Sequence, residues 1–184
     1  EKIASSQKRT LESYNEEEED ITARFLENIK RDFEEIKSES HKIETQIFRR
    51  KGPKPEENRL GADFAIILEI NNKKDYIKKY FLAQSKKCKS KSKLRFDKLL
   101  VSQCEKMMST TSDSFVFVYT KRGIFVKSAL NKVLTFKKVR DFFVDFVNCF
   151  IGEIHCCDEY RCWRHFPHHP FFHMDADNLS NKIH

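Results

Sequence analysis

The sequence predicts an α/β protein in which one mixed β-sheet is flanked by helices. Three observations carry this prediction. Apolar residues recur at helical spacing from Ile21 onward, a run of branched apolar residues surrounds Ile66, and a polar turn separates that run from a second strand-like segment. Helical and strand patterns that alternate along one chain indicate a sheet covered by helices.

The first element is an amphipathic helix that is predicted to begin at about residue 17, after a polar N-terminal segment (residues 1–15). Its acidic start, residues 16–20, suits the N-terminus of a helix, where negative charge is favourable. Its apolar stripe recurs every three or four residues and consists of Ile21, Phe25, Ile29, Phe33 and Ile36.

Three strands are predicted next. In residues 42–50 the side chains of Ile43, Thr45 and Ile47 alternate onto one face, as in a strand. Residues 51–58 contain two Pro and one Gly and are predicted to form a loop. Residues 62–70 are apolar except for Asp63 and Glu69 and are rich in branched side chains, which is typical of a central strand buried on both faces.

A hairpin joins this central strand to its neighbour. Residues 71–75, Asn-Asn-Lys-Lys-Asp, have turn composition, and residues 76–85 are predicted to form the partner strand. Because a hairpin joins antiparallel strands, the start of the first strand and the end of the second meet at one end of the sheet.

The second half of the chain adds helices and strands in alternation. A strand is predicted at residues 114–119, and Gly123 makes a turn before residues 124–126. A third helix at residues 136–151 carries Phe142, Phe143, Phe146, Val147 and Phe150. The second helix precedes residue 114 and carries Phe96, Leu99, Leu100, Gln103, Cys104 and Met107.

The composition limits the class of protein. No run of about 18 apolar residues exists, so no membrane span is expected. Six Cys at irregular spacing do not form a disulfide framework, which favours the reducing cytoplasm. The chain starts at Glu1 rather than Met, and we therefore expect it to be a piece of a longer protein.

The charge distribution favours a polyanionic partner. The net charge is +7, which by itself fits a lysine-rich proteome equally well. A segregated basic stretch is more informative, because clustered cations neutralise phosphates. Residues 86–95 form such a stretch, which is a solvated loop or a phosphate-contact loop that carries Lys87, Lys89, Lys91, Lys93 and Arg95.

Three side chains at one end of the predicted sheet suggest chemistry. Asp63 begins the central strand, where a buried carboxylate is costly unless it is paired or binds a metal. Gln84 and Lys86 are two residues apart, so their side chains leave the same face of the partner strand. Oxygens of Asp63 and Gln84 suit Mg²⁺, and Lys86 would orient water or stabilise phosphate charge.

With a Gln in place of a second acid, the site has one fewer negative charge to hold a divalent cation. A further carboxylate would supply that charge. Glu18 is preferred, because it lies on the same helical stripe as Ile21 and Phe25. Glu19 lies at the edge of the stripe and is the second choice. Asp32 also falls on the stripe, where a partly buried, paired acid is an ordinary explanation.

At these positions the sequence resembles the PD-(D/E)XK nuclease superfamily. Gly61-Ala62-Asp63 followed by Gln84-Ser85-Lys86 is similar to the branch with a Q-x-K ending, although Ala62 replaces the proline that names the motif. The segment from Glu18 to Thr22 resembles the helical acid motif of that group. Gln103-Cys104-Glu105-Lys106-Met107 and the strand after it resemble the helix and fourth strand of bacterial members, so the resemblance covers about residues 16–128.

The resemblance implies a restriction-endonuclease-like fold, a mixed sheet flanked by helices, with residues 16–151 as the nuclease domain. It implies hydrolysis of DNA phosphodiester bonds with Mg²⁺, for which Mn²⁺ substitutes. Asp63, Gln84, Lys86 and Glu18 would be the catalytic residues. Such domains act as dimers on duplex DNA and serve as restriction or antiphage effectors fused to sensor domains.

Two other roles fit the same chain. One is a catalytically silent module of the same fold that binds nucleic acid, and the other is an interaction domain whose basic surface binds an acidic protein. Singly, Asp63 fits a salt-bridged strand start, and Gln84 with Lys86 fits an ordinary strand end. Gln103 and Lys106 face either the site or the DNA, or they simply line the helix beside the core.

The C-terminal tail, residues 152–184, is rich in Cys, His and Phe. Thiolates and imidazoles are zinc ligands, but no C-x₂-C pair is matched by a second one, so a packed tail is favoured over a structural Zn²⁺ site. The candidate ligands are His155, Cys156, Cys157, Cys162, His165, His168, His169 and His173.

Overall fold

The structure is a computed structural model that describes residues 16–35, 41–48, 56–71, 76–130, 135–148 and 150–155. The chain divides into two compact units, Glu1–Ile154 and His155–His184. The polar segment 1–15 and most of the Cys/His-rich tail, including all its cysteines, lie outside the described residues, as do Ile36 and the 72–75 turn. The predictions made for them therefore remain predictions.

Helices and strands alternate as the sequence predicted. The helices are α1 (Glu18–Glu35), α2 (Glu56–Leu60), α3 (Lys98–Met108) and α4 (Val139–Val147), with a 3₁₀ turn at Lys91–Lys93. The strands are β1 (His41–Ile47), β2 (Phe64–Asn71), β3 (Tyr76–Lys87), β4 (Ser114–Thr120), β5 (Gly123–Ser128), β6 (Lys137–Lys138) and β7 (Glu153–His155). In these ranges no helix is both long enough and apolar enough to cross a bilayer.

Within the described ranges, seven strands form one mixed sheet. Its order is β1-β2-β3-β4-β5-β6, and β7 pairs with β3 outside this path. Neighbouring strands from β1 to β3 are antiparallel, β4 runs parallel to β3, and β5 returns antiparallel. The parallel pair requires a crossover, which α3 provides. The predicted class, a mixed sheet flanked by helices, is confirmed.

One face of the sheet is covered by α1 and α4 and carries an aromatic core. Phe81 of β3 lies at its centre, with its ring centroid 4.9 Å from that of Phe146 on α4. Phe25 of α1 lies 5.8 Å from Phe117 of β4. Such tilted and edge-on contacts add to the burial of the rings themselves. This packing fixes α1 above the middle of the sheet, and with it the position of the acidic helix start.

The opposite face is covered by α3, which packs against β3 and β4. Side chains alternate along a strand, so Leu82, Val116 and Val118 point away from the aromatic core, and all three are fully buried. These strand residues pack against a buried stripe on α3 that consists of Leu100, Cys104 and Met107. Asp97 caps this helix, because its carboxylate accepts a hydrogen bond from the Leu100 N–H at 2.8 Å.

Several details of the prediction were wrong. The predicted loop 51–58 ends in helix α2, because Glu56 and Glu57 provide the acidic first turn that favours a helix start. Strand β3 continues to Lys87, since its last residues pair with β4. Short strands β6 and β7 carry no strand pattern long enough to be seen in sequence.

Three apolar residues assigned to buried faces are exposed. Ile47 is 53% exposed, Leu99 66% and Phe150 77%. Leu99 lies one position off the stripe of α3, and Gln46 is buried in β1 where Ile47 was expected. Helix α4 ends at Val147, where Asn148 donates its N–H back to the Val144 carbonyl, so Phe150 lies beyond the helix.

Gly61 allows α3 to approach the start of β2. It follows α2 directly, its N–H donates to the Glu57 carbonyl, and its φ is +72°. This left-handed conformation ends the helix and favours glycine. A Cβ atom on Gly61 would overlap the Gln103 carbonyl oxygen of α3. The two residues that separate Gly61 from β2 include Asp63, so the close approach positions that carboxylate.

We expect Gly61→Ala to lower the free energy of unfolding by about 2 kcal/mol or more, from backbone strain and overlap together. Urea denaturation followed by circular dichroism measures this. Ala23→Gly, on the exposed side of α1, is the control, and should cost only about 1 kcal/mol through helix propensity. A Gly61→Ala protein as stable as the wild type would contradict the close approach of α3.

Candidate functional site

Asp63 lies immediately before β2 and is held between two neighbouring strands. Its N–H donates to the Ala83 carbonyl of β3 at 2.8 Å, and its carbonyl accepts from the Phe48 N–H, beyond β1, at 2.8 Å. Its backbone therefore extends the ladder on both sides. The side chain is buried and has little freedom to move away from the end of β3.

One carboxylate oxygen of Asp63 accepts three hydrogen bonds. Its Oδ2 accepts from Gln84 Nε2 at 2.7 Å and from the Ser85 N–H at 2.8 Å. The Ser85 hydroxyl also donates to it. Hydrogen bonds to a carboxylate are stronger than hydrogen bonds to neutral acceptors. This arrangement therefore fixes the orientation of the Asp63 side chain.

The amide of Gln84 is only half satisfied. Gln84 is fully buried, and while its nitrogen donates to Asp63, its Oε1 has no hydrogen-bond partner. Leaving a buried polar atom unsatisfied costs about 1–3 kcal/mol. An oxygen of this kind, beside a carboxylate, is suited to a cation or a hydrogen-bond donor that enters the site.

Glu18 reaches the end of β3 from the first turn of α1. Its Oε2 accepts from the Lys87 N–H at 2.5 Å, and its Oε1 lies 3.9 Å from Lys86 Nζ. Lys87 Nζ donates to the carbonyl of Glu16, two residues before α1, at 2.7 Å, which adds a link between β3 and the segment that leads into α1. Glu19, the other candidate acid, is exposed.

Tyr119 of β4 lies near both carboxylates. Burial, and then the charges on Asp63 and Glu18, raise the pKa of its phenol well above the ordinary value. The phenol therefore stays protonated and acts as a neutral polar group.

A basic surface lies at the same end of the sheet. The chain leaves β3 at Cys88, whose N–H donates to the Tyr119 carbonyl at 2.9 Å, close to the β4–β5 turn. Lys91 Nζ lies 5.0 Å from the centroid of Phe125, which anchors the loop to β5. We define the basic surface by its exposed residues, which are Lys89, Lys91, Lys93, Arg95, Lys121 and Arg122.

The oxygen atoms of the site fit a hard divalent cation such as Mg²⁺. In the part of the chain that the structure describes, no three His, Cys, Asp or Glu side chains come together to hold a metal. The available set instead combines the carboxylates of Asp63 and Glu18 with the amide of Gln84. Carboxylate and amide oxygens are the ligands Mg²⁺ takes, although in this structure the nitrogen of the Gln84 amide, not its oxygen, contacts Asp63.

The structure joins the residues that the sequence singled out in two pairs. Asp63 contacts Gln84, and Lys86 lies beside Glu18. Lys87, predicted with the basic loop, is instead half-buried and bonded to α1. Sequence reasoning missed Ser85, because strand alternation directs its side chain away from Gln84. It also missed Lys121 and Arg122, which only the β4–β5 hairpin places near the loop.

Comparison with known proteins adds no relative. No family model matches this chain, and no curated protein matches it in sequence.

We expect Glu18→Ala to lower the free energy of unfolding by about 1–2 kcal/mol, because the Lys87 N–H loses its carboxylate acceptor. Chemical denaturation measures the change. Glu19→Ala is the matched control, since it removes an equal charge from an exposed position and should stay within about 0.5 kcal/mol of wild type. Equal effects of both substitutions would mean that Glu18 does not link α1 to β3.

Proposed function

We propose that this chain is a Mg²⁺-dependent endonuclease domain that hydrolyses DNA phosphodiester bonds. The observation that carries the proposal is the contact between Asp63 and Gln84, with the unsatisfied Gln84 oxygen beside it. The wider role that fits is that of an effector in a cytoplasmic bacterial restriction or antiphage defence protein, acting on duplex DNA as a homodimer and controlled by an additional sensor domain.

The strand topology supports the restriction-endonuclease-like assignment. Helix α1 is followed by the antiparallel strands β1, β2 and β3, and α3 then crosses to a parallel β4. This order, apart from the short α2 between β1 and β2, agrees with the helix and fourth strand that the resemblance assigns to residues 103–119. The Q-x-K segment lies near the end of β3 and Asp63 lies immediately before β2, so the motif residues lie at the same end of the sheet.

Each residue has a role that follows from its position. Asp63, Gln84 and Glu18 would hold the cation through side-chain oxygens. Bound Mg²⁺ neutralises charge on the phosphate and lowers the pKa of water. Lys86 lies 3.9 Å from Glu18, and its ammonium would orient the attacking water or stabilise the negative charge that develops on the scissile phosphate.

The basic surface would bind the DNA backbone next to this site. Lysine and arginine contacts to phosphates position a duplex without reading its sequence. Residues 88–97 connect the strand that carries Gln84 and Lys86 to α3, so a backbone held by the basic surface lies close to the proposed catalytic residues. Duplex DNA is favoured over an acidic protein because cations here adjoin a phosphodiesterase-like site.

A second candidate is a nucleic-acid-binding module that does not cut. The observation that favours it is that Asp63 and Glu18 already accept hydrogen bonds from the protein. A silent module would keep these bonds for stability and retain the basic surface for binding. The two candidates differ in cleavage and agree in DNA affinity.

We expect the wild-type protein to cleave plasmid DNA with Mg²⁺ or Mn²⁺, and Asp63→Asn and Lys86→Ala to lower the rate about a hundredfold or more. Asp63→Asn preserves shape while removing charge. Agarose electrophoresis of a supercoiled plasmid measures the rate.

Lys30→Ala is the control for lost positive charge, because Lys30 is exposed on α1, away from the end of β3. Cleavage that survives both site substitutions would mean that the residues are misassigned. Tight binding of duplex DNA with no cleavage by wild-type protein would favour the silent module.

The basic surface predicts a strong dependence of DNA affinity on salt. We expect Lys91→Ala combined with Arg95→Ala to reduce the slope of log affinity against log salt by about 2, since each phosphate contact contributes about 0.9. Fluorescence anisotropy with a labelled duplex measures the slope. Lys30→Ala combined with Lys42→Ala, also exposed, should leave it unchanged. An unaltered slope in the Lys91/Arg95 variant would exclude these residues from the interface.

A further inference from the structure

We propose that Ser85 is a positioning residue that holds the Asp63 carboxylate while Gln84 turns its amide over toward the cation. This inference rests on the proposed function in one respect only, namely that a divalent cation enters the site. Ser85 lies between the motif residues Gln84 and Lys86. Alternation along the strand assigns its side chain to the other face of the sheet.

The amide of Gln84 faces the wrong way for a cation ligand. Its nitrogen donates to Asp63 Oδ2 at 2.7 Å, and also makes a longer 3.5 Å contact with the Ser85 carbonyl. The oxygen, which is the atom able to ligate Mg²⁺, is buried and has no hydrogen-bond partner. A neutral amide binds cations through oxygen.

For Gln84 and Asp63 to direct oxygens at the same cation, the Gln84 amide must therefore turn over. Rotation about the last side-chain bond exchanges the oxygen and the nitrogen with little change in shape, because that torsion is broad and nearly two-fold. The turn satisfies the buried oxygen with the cation. It also removes one of the three donors that Asp63 Oδ2 has in this structure.

Ser85 provides the two donors that remain. Its N–H belongs to the backbone of β3, which is paired with β4 at this point, so that donor is fixed. Its hydroxyl donates to the same oxygen, and the residue is almost fully buried. Groups that hydrogen-bond a ligating carboxylate orient it for the metal, and their loss costs affinity.

The test begins with the side-chain amide of Gln84, observed by ¹⁵N NMR as the protein is titrated with MgCl₂ in the absence of DNA. The signals of the amide are identified by their loss in Gln84→Glu. We expect both Nε2–H signals to move as Mg²⁺ binds, because one of the hydrogens leaves the Asp63 carboxylate. Movement of the Lys87 backbone amide beside Glu18, with the Gln84 signals unmoved, would overturn the inference.

The role of Ser85 is tested by comparing Mg²⁺ affinity among variants in the same titration. Ser85→Ala should weaken binding about tenfold, and Ser85→Thr, which keeps the hydroxyl, should restore most of it. Ser114→Ala is the matched control, because Ser114 is also fully buried in the sheet and donates its hydroxyl to the Thr111 carbonyl at 2.7 Å. Its affinity should equal that of wild type.

The outcomes separate this inference from the proposed nuclease activity. Mg²⁺ affinity that is equal in Ser85→Ala and Ser114→Ala would overturn the role of Ser85. Cleavage of DNA with an unresponsive Gln84 amide would overturn the inference and leave the nuclease intact. A responsive amide and a weakened Ser85→Ala variant without any cleavage would support the inference and remove the nuclease. No response to Mg²⁺ anywhere would overturn both.

Discussion

The antiparallel pairing of β2 with β3 is the constraint on which the candidate site depends. It sets Phe64 opposite Ala83, and the next pair outward is therefore Asp63 and Gln84. A shift of one residue would exchange the two faces of the strand and place Ser85 where Gln84 now lies. The carboxylate and the amide meet because this register is held along eight paired positions of β2.

The other elements secure this pairing from outside. β4 runs alongside β3 in parallel and buries its far edge, and α3 must cross the sheet to allow this. Gly61 lets that helix approach within backbone contact of the segment before Asp63. On the opposite face the aromatic core holds α1, so its first turn reaches the last residues of β3. Three contacts therefore assemble the site, namely β4 beside β3, α3 against the segment before Asp63, and α1 on the aromatic core.

Much of this was predictable from the sequence because the strongest patterns are local. The stripe of α1, the apolar run of β2 and the turn composition at 71–75 each indicate an element, and a hairpin leaves little choice of register. From these, the proximity of Asp63 and Gln84 follows. The preference for Glu18 over Glu19 as the acid nearest β3 followed from the stripe, and the structure places Glu18 there.

What the sequence did not show depends on contacts between distant segments. The continuation of β3 through Lys87 requires β4, which lies 27 or more residues further along the chain. The role of Ser85 depends on Asp63, which lies before the regular part of β2. The Asp63 carboxylate therefore reaches Ser85 on the other face of β3, a contact that simple alternation along a strand does not predict. The direction of the Gln84 amide has no sequence signal, because it is set by hydrogen bonds alone.

The position of β3 at the centre of the sheet has a consequence for how the molecule loses its structure. This strand pairs with β2 over residues 76–83, with β4 over residues 82–87 and also with β7, and its side chains are buried from Lys78 to Ser85. Segments with this degree of pairing open only when the whole domain unfolds. Backbone amides near Gln84 should therefore exchange with solvent at the rate of global unfolding, while the basic loop exchanges freely. The end of the strand that carries Gln84 is thus expected to resist local opening, and the loop that begins two residues beyond Lys86 is expected to open more readily.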